Sequence, residues 1–426
     1  MKLTKLKIHR YRDVAPGSEL VFGPSSTLVL GENGTGRTML LDLLALVLGS
    51  DFSGLIHEAF SLEYELTFPG MALHISVRNE QHSPSRPVGS GSALLPLRTP
   101  EPVPEFEPLM ELVLQLDAPA SRMVLRADAS GASWEVDGQS AWSQSMRWSL
   151  LDRTVWILLF MTAQYLEPRV KDRLKELLRR TFLLAPTRFD ESLGSFTQIG
   201  KSQFGMEKRG DEVFPLGLMG LPTWMPGLLR DRAERGPRTG IIDILPEDVR
   251  EGFLAKFIAL AGFSTGRLRV ELLGNQSYEG GGRLEFGQFG FSFTRSDGRV
   301  LSQEQLSHGQ KRLLSFLYYL DVNEDFVIAD ELANGLHPRW VEACLRERDD
   351  RQCFLTSQNP LLLEHLPLDS PEELRTSLIH CAVGLHEGRA QWLWANPTAE
   401  VAAKLFRASR QADTSRGALL KAHGLW

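Results

Sequence analysis

The sequence predicts an α/β fold: a mixed β-sheet, an antiparallel β layer, and a helical and loop-rich insertion between two halves of one core. Three observations predict it. A short apolar run enters a glycine-rich turn and leaves it as an apolar helix, over Ser26–Leu48. Segments near the N-terminus alternate polar and apolar residues, the period of a half-buried strand. Near the C-terminus, strand and helix patterns alternate, as parallel α/β structure requires.

Taken in order, Lys2–Ile8 alternates as a strand, Ser26–Leu30 is an apolar strand, and Met39–Leu48 is a buried helix ending near Gly49. Ser61–Phe68 and Ala72–Arg78 alternate again, as two strands of an antiparallel layer. Glu80–Glu107 is rich in proline, serine and glycine and reads as a long loop. Leu109–Leu116, Met123–Ala127 and Ser133–Val136 follow as short strands. From Ala141 to Phe182 the period becomes helical, and Asp190–Gly240 reads as irregular projecting loops. Pro246–Ala261 is expected as a helix beginning at Pro246 and Glu247. Strands return at Arg267–Leu273 and Arg283–Thr294. Then come helix Lys311–Leu320, strand Phe326–Ala329, helix Pro338–Glu347 and strand Gln352–Thr356. No internal repeat or sustained heptad pattern is present.

Composition narrows the function classes. The N-terminal MKLTKLKIHRYRD lacks the apolar core of a signal peptide. The longest apolar stretches are too short to span a bilayer, so no membrane partner is expected. A net charge of −6 offers no general attraction for nucleic acid. Cys344, Cys353 and Cys381 have no metal-ligand spacing and are odd in number, which favours reduced buried thiols and a cytoplasmic location.

Gly31-Glu32-Asn33-Gly34-Thr35-Gly36-Arg37-Thr38 has the spacing of a phosphate-binding loop, G-x-x-x-x-G-K-[ST], with Arg37 in the lysine position. Glycines there let backbone N–H groups turn around phosphate oxygens, and the helix that follows presents its positive end to the anion. Thr38 would place its hydroxyl on Mg²⁺. Arg37 keeps the charge but is wider and planar where lysine is a compact point charge. Nucleotide binding can survive that exchange while the γ-phosphate is held less well, which argues against brisk hydrolysis.

Phe326–Glu331 is an apolar strand ending in two carboxylates. Asp330 would hold Mg²⁺, generally through water, and Glu331 would orient or deprotonate an attacking water. Leu306-Ser307-His308-Gly309-Gln310 opens a helix. It reads either as a phosphate-donating turn or as a plain helix cap. No Ser-His-Asp, Cys-His or clustered carboxylate site stands out, and no separable nuclease domain is appended.

Together these segments resemble the ATP-binding-cassette ATPase superfamily. LSHGQ is similar to its LSGGQ signature, departing at His308. Ala329–Pro338 (ADELANGLHP) resembles the Walker B and D-loop run of bacterial non-transporter members: the overcoming-lysogenization-defect family, RecF-like and SMC-like heads, and AAA ATPases of anti-phage systems. The resemblance implies an ABC-type P-loop NTPase head, with Met1–Glu80 as its N-terminal half, 81–265 as an insertion, and 266–426 as its C-terminal half. It implies ATP and Mg²⁺ as cofactors. Two heads would dimerise head to tail, or assemble further. Each nucleotide would lie between Asn33, Gly34, Thr35, Gly36, Arg37 and Thr38 of one copy and Ser307, His308, Gly309 and Gln310 of the other. Asn334 of the D-loop would lie near the partner's site. Gln358 stands where relatives often carry a histidine facing the γ-phosphate. Gln198 and Gln203 are both candidates for the Q-loop. Leu184–Arg188 (LAPTR) resembles a Pro/Arg element of some relatives or is an exposed loop after a helix. Arg169–Arg180 would contact nucleic acid or form a solvated basic helix, and Trp224 would anchor a partner or pack on its own domain.

The implied function is an ATPase switch paired with an effector such as a nuclease or toxin, in phage defence or DNA repair. Arg37 and Gln358 keep open a nucleotide-gated scaffold with little turnover. A transporter subunit fits the long insertion and the NGLHP run less well.

Overall fold

The computed structural model describes residues 1–82, 105–117, 120–145, 150–152, 171, 188–189, 203–209, 212–216, 220–236, 239–359, 362, 364, 369–386, 388–411 and 415–425. The fold is mixed α/β, with antiparallel and parallel sheets, as the sequence predicts. It divides into two compact units: Met1–Val21, Leu46–Lys171 and Ala382–Ala395 form one, and Phe22–Ala45, Asp172–Cys381 and Asn396–Trp426 form the other.

The first unit holds an antiparallel sheet of eight strands in the order β2-β1-β4-β5-β6-β7-β8-β9. These are β1 (Lys2–Tyr11), β2 (Ser18–Val21), β4 (Phe60–Phe68), β5 (Met71–His82), β6 (Glu105–Asp117), β7 (Ala120–Asp128), β8 (Gly131–Val136) and β9 (Gln139–Gln144). The alternation read in the sequence is the cause: β4 buries every second residue, from Phe60 through Leu62, Tyr64 and Leu66 to Phe68. The expected helical period from Ala141 is corrected at its start, because Gln139–Gln144 pairs with β8, Trp142 opposite Trp134. Most of 146–187 lies outside the described residues, so the expected charged helix Arg169–Arg180 does too, apart from Lys171.

The second unit contains a parallel core: β16 (Phe326–Ala329), β17 (Gln352–Thr356), β3 (Ser26–Gly31) and the start of β18 (Leu378–His386), in that order; β19 (Arg389–Ala395) belongs to the first unit. Every residue of β16 and β17 is buried, as strands covered on both faces require. Helix α1 (Arg37–Gly49) follows β3 directly.

The same unit carries an antiparallel sheet, β11-β10-β14-β13-β12, with β15 (Val300–Ser302) on β14. It is formed by β10 (Phe204–Arg209), β11 (Glu212–Leu216), β12 (Gly240–Ile244), β13 (Thr265–Tyr278) and β14 (Gly281–Thr294). The expectation of irregular loops over Asp190–Gly240 is therefore corrected: that stretch supplies β10, β11 and helix α2 (Met225–Arg235). Long-range pairing makes β10 a strand, with Phe204 opposite Phe286. The helix expected from Pro246 is also corrected. Pro246–Asp248 is one short turn and α3 spans Phe253–Ala261, because Val249 between them leaves helical geometry at φ −142°, ψ 87°.

Helix α4 (His308–Val322) packs against α3, with Tyr318 edge-on to Phe253, and α5 (Pro338–Arg346), α6 (Pro371–Thr376), α7 (Ala399–Gln411) and α8 (Arg416–Ala422) complete the unit. Trp224 settles into its own domain: it stacks on Phe253, 6.2 Å between ring centroids, and its indole N–H donates to Asp321. Asp321 also accepts from the Phe253 N–H, and burial holds its pKa above the usual carboxylate range. The three cysteines are buried free thiols. Burial pushes Cys344 and Cys381 up to about 12, so both stay protonated. No helix among the described residues is long and apolar enough to cross a membrane.

Candidate functional site

The glycine loop lies between β3 and α1, in the strand–turn–helix context its spacing requires. Gly31, Gly34 and Gly36 all have positive φ. At Gly31 (φ +147°) an added Cβ would lie 2.2 Å from the Cys381 carbonyl oxygen, so only glycine lets β3 turn there. Thr35 is buried and its hydroxyl donates to the Glu32 carbonyl at 2.7 Å, closing the loop from inside. Glu32, Asn33 and Gly34 face solvent. The first helical bond runs from the Leu40 N–H to the Gly36 carbonyl, which aims the start of α1 at the loop.

Strand β16 brings two carboxylates to the same place. The Thr38 hydroxyl donates to Asp330 Oδ2 at 2.8 Å, and the Thr356 hydroxyl donates to Oδ1. Glu331 has φ +49°, rare for a side chain of its size, and is held at several points. Its N–H donates to Thr356 Oγ1 (2.9 Å), its carbonyl accepts from Arg312 Nη2 (2.7 Å), and its Oε2 accepts from the Gln358 N–H (3.0 Å). Gln358 thus meets Glu331 through its backbone, while the residue itself is exposed.

Arg37 turns toward these carboxylates. One guanidinium nitrogen lies 3.6 Å from Glu331 Oε1 and another donates to Asn33 Oδ1 at 3.0 Å. The Arg37 and Glu331 side chains are only 11% and 9% exposed, so this pair is poorly screened.

Thr38, Arg37, Asp330, Glu331 and Gln358 are therefore brought together, with Asn334 donating its N–H to the Glu331 carbonyl at 3.0 Å. The Ser307–Gln310 segment is a capping box: Ser307 Oγ accepts from the Gln310 N–H, and Gln310 Oε1 accepts from the Ser307 N–H. Ser307 and His308 are exposed. Gly309 abuts the D-loop, where an added Cβ would meet the Gly335 carbonyl oxygen at 2.8 Å.

Two further arginines enter the site. Arg312 of α4 is 1% exposed and lies 5.0 Å above the Phe189 ring. Arg188 donates to Asp330 Oδ2 at 2.7 Å and to Asp42 Oδ1 at 2.8 Å. Arg188 ends the LAPTR segment, whose resemblance to a Pro/Arg element of some relatives left an exposed loop equally open. Of the two Q-loop candidates, Gln203 is exposed and Gln198 lies outside the described residues.

The donor set fits Mg²⁺. A threonine hydroxyl and an aspartate carboxylate are hard oxygen ligands in contact. Among the described residues no group of three or more His, Cys, Asp or Glu could cage an ion. A Mg²⁺ here would complete its shell with phosphate oxygens and water.

Residues 162–364 match a family model described as an AAA domain, putative AbiEii toxin, type IV toxin–antitoxin system. The AAA-type ATPase group expected from the motifs is the group this match returns. No curated protein matches the chain. Among solved structures, the head of an Smc protein bound to the C-terminal winged-helix domain of ScpA is 12% identical, covering 94% of this chain and 99% of that one, with a TM-score of 0.43. The SMC head domain from Thermotoga maritima is 14% identical over 92% and 98%, with a TM-score of 0.33. The Smc head with an extended coiled coil from Pyrococcus furiosus, bound to the C-terminal domain of ScpA, is 13% identical over 96% and 99%, with a TM-score of 0.39.

Proposed function

We propose that the chain is an ATP-binding switch that turns ATP over slowly and closes head to tail on a second copy around ATP and Mg²⁺. It would control a partner effector, such as a nuclease or toxin, in phage defence or DNA repair. The observation that carries this is the meeting of Thr38, Asp330 and Glu331 at the end of a glycine loop that opens a helix. The toxin–antitoxin description of the matched family supports an effector setting.

Each residue then has a task. The loop glycines and the start of α1 would cradle the phosphates, and Thr38 and Asp330 would hold a metal, which would supply charge neutralisation at the phosphate oxygens. Glu331 takes or orients the proton of the attacking water. Its Oε2 is already occupied by the Gln358 N–H, and Arg37 lies beside Oε1. With both oxygens engaged, an incoming water must displace one of these partners to reach the carboxylate. Arg37 is thus a brake twice over: it binds phosphate less compactly than lysine, and it attends the catalytic carboxylate.

The Arg37–Glu331 pair also favours a second function, a nucleotide-gated scaffold with no useful turnover. Binding and hydrolysis of ATP with Mg²⁺, measured on wild type, Arg37→Lys and Glu331→Gln, separate the two. Wild type is expected to bind and to hydrolyse slowly. Glu331→Gln should lose about 10²-fold or more in turnover while keeping affinity, and Arg37→Lys should raise turnover severalfold. A wild type that does not bind ATP overturns both functions. Binding without any turnover in wild type or Arg37→Lys selects the scaffold, and turnover indifferent to Glu331→Gln removes that residue's role.

A further inference from the structure

Asp330 carries one partner too many for a simple magnesium ligand. Oδ1 accepts the Thr356 hydroxyl, while Oδ2 accepts both the Thr38 hydroxyl (2.8 Å) and Arg188 Nη1 (2.7 Å). Arg188 also donates through Nε to Asp42 Oδ1 at 2.8 Å, on the turn of α1 that follows Thr38. Its guanidinium therefore spans two carboxylates of different standing. The Asp330 side chain is 13% exposed and sits at the metal position; that of Asp42 is 45% exposed and lies outside it. The backbone fixes this delivery. The Phe189 N–H donates to the Ile328 carbonyl at 2.8 Å, and the Phe189 carbonyl accepts from the Asp330 N–H at 2.7 Å. Arg188 is thereby carried in beside β16 by a single parallel bridge, Phe189 opposite Ala329.

A guanidinium cannot lose its proton in a protein, and Mg²⁺ dehydrates only for near-ideal octahedral oxygen geometry. The two cations compete for the same carboxylate oxygen. We infer that Arg188 is an exchangeable counter-ion of the metal subsite. It neutralises Asp330 in the nucleotide-free chain, yields Oδ2 when metal and nucleotide arrive, and stays docked on Asp42 through Nε. This rests on the nucleotide-site function proposed above and adds a regulation to it. Arg188 is a positioning residue, acting through Asp330, and it sets the Mg²⁺ concentration at which the site loads. A cation that merely braced the fold would weaken loading when removed; an exchanging one strengthens it.

Mg²⁺ is titrated against binding of a fluorescent N-methylanthraniloyl ATP to wild type, Arg188→Gln, Arg188→Lys and Asp42→Asn. Arg188→Gln should lower the Mg²⁺ midpoint about tenfold, equivalent to ~1.4 kcal/mol. Arg188→Lys, which keeps the charge, should stay nearer wild type. Asp42→Asn should raise the midpoint, because Arg188 loses its second carboxylate. If wild type loads normally and Arg188→Gln loads at an unchanged or higher midpoint, the exchange is wrong and the nucleotide site stands. If Arg188→Gln does not fold, Asp42→Asn decides, and an unmoved or lowered midpoint overturns the exchange. A wild type that binds no analogue at any Mg²⁺ concentration brings down the nucleotide site and the exchange together.

Discussion

Burying a guanidinium costs several kcal/mol unless its donors are well spent. Arg312, at 1% exposure, spends one on the Glu331 carbonyl at 2.7 Å and lays its face over Phe189. Glu331 needs the help: a non-glycine residue at φ +49° stores about 1–3 kcal/mol of strain. Arg312→Met keeps the length and loses the charged donor. It should cost about 1–3 kcal/mol in urea denaturation and lower turnover by loosening Glu331. Affinity for nucleotide should hold, since Thr38 and Asp330 bond through other groups. A Met variant as stable as wild type would show that the strained turn holds itself. Much of this site is legible in sequence: Thr38, Asp330 and Glu331 follow from motif chemistry. Arg312 and Arg188 are not, because each acts on a residue far along the chain, and a spacing rule carries no information about which distant cation the fold returns to a given carboxylate.

Among the elements, β14, α3 and α4 share an aromatic core, joined by Phe263 just after α3. The Phe257 ring lies 4.8 Å from that of Phe293 and 5.8 Å from that of Phe263, and Phe253 meets Tyr318 at 5.0 Å. Phe257 is fully buried. Phe257→Ala should cost about 3–5 kcal/mol, read as a lowered denaturation midpoint. Ile241→Ser, at a residue 61% exposed on β12, should stay within about 0.5 kcal/mol. Comparable losses for both would mean that the aromatic cluster is not the anchor of this sheet. Strong periodicity made the parallel strands, α1, α4, α5 and the long antiparallel strands readable. β10, β11 and β12 were not, being short, interrupted by turn residues, and strands only because β14, β10 and β13 respectively offer them edges. At β9, Trp142 sits opposite Trp134, a cross-strand pairing that overrides the helical period seen from Ala141.

For the whole molecule, the test is what brings two copies together. Each chain has a formal charge of −6, and each nucleotide adds more negative charge, so long-range electrostatics opposes association. Any nucleotide-driven dimer must be held by short-range donors shared across the phosphates, and Ser307 at the start of α4 is the one to test. Its Oγ already caps the helix by accepting from the Gln310 N–H. Ser307→Asp keeps that cap, since aspartate is as good an N-cap as serine, but sets a carboxylate where a phosphate would arrive. Sedimentation of Glu331→Gln, expected to hold ATP unhydrolysed, should shift from monomer to dimer with Mg²⁺–ATP and remain monomeric with Mg²⁺–ADP. The double variant Ser307→Asp/Glu331→Gln should bind ATP with unchanged affinity and remain monomeric. A dimer that forms equally with ADP, or survives Ser307→Asp, would mean that the copies meet elsewhere and that ATP does not hold them. If the single-chain affinity falls together with dimerisation, Ser307 acts within its own subunit, and the head-to-tail arrangement loses its support.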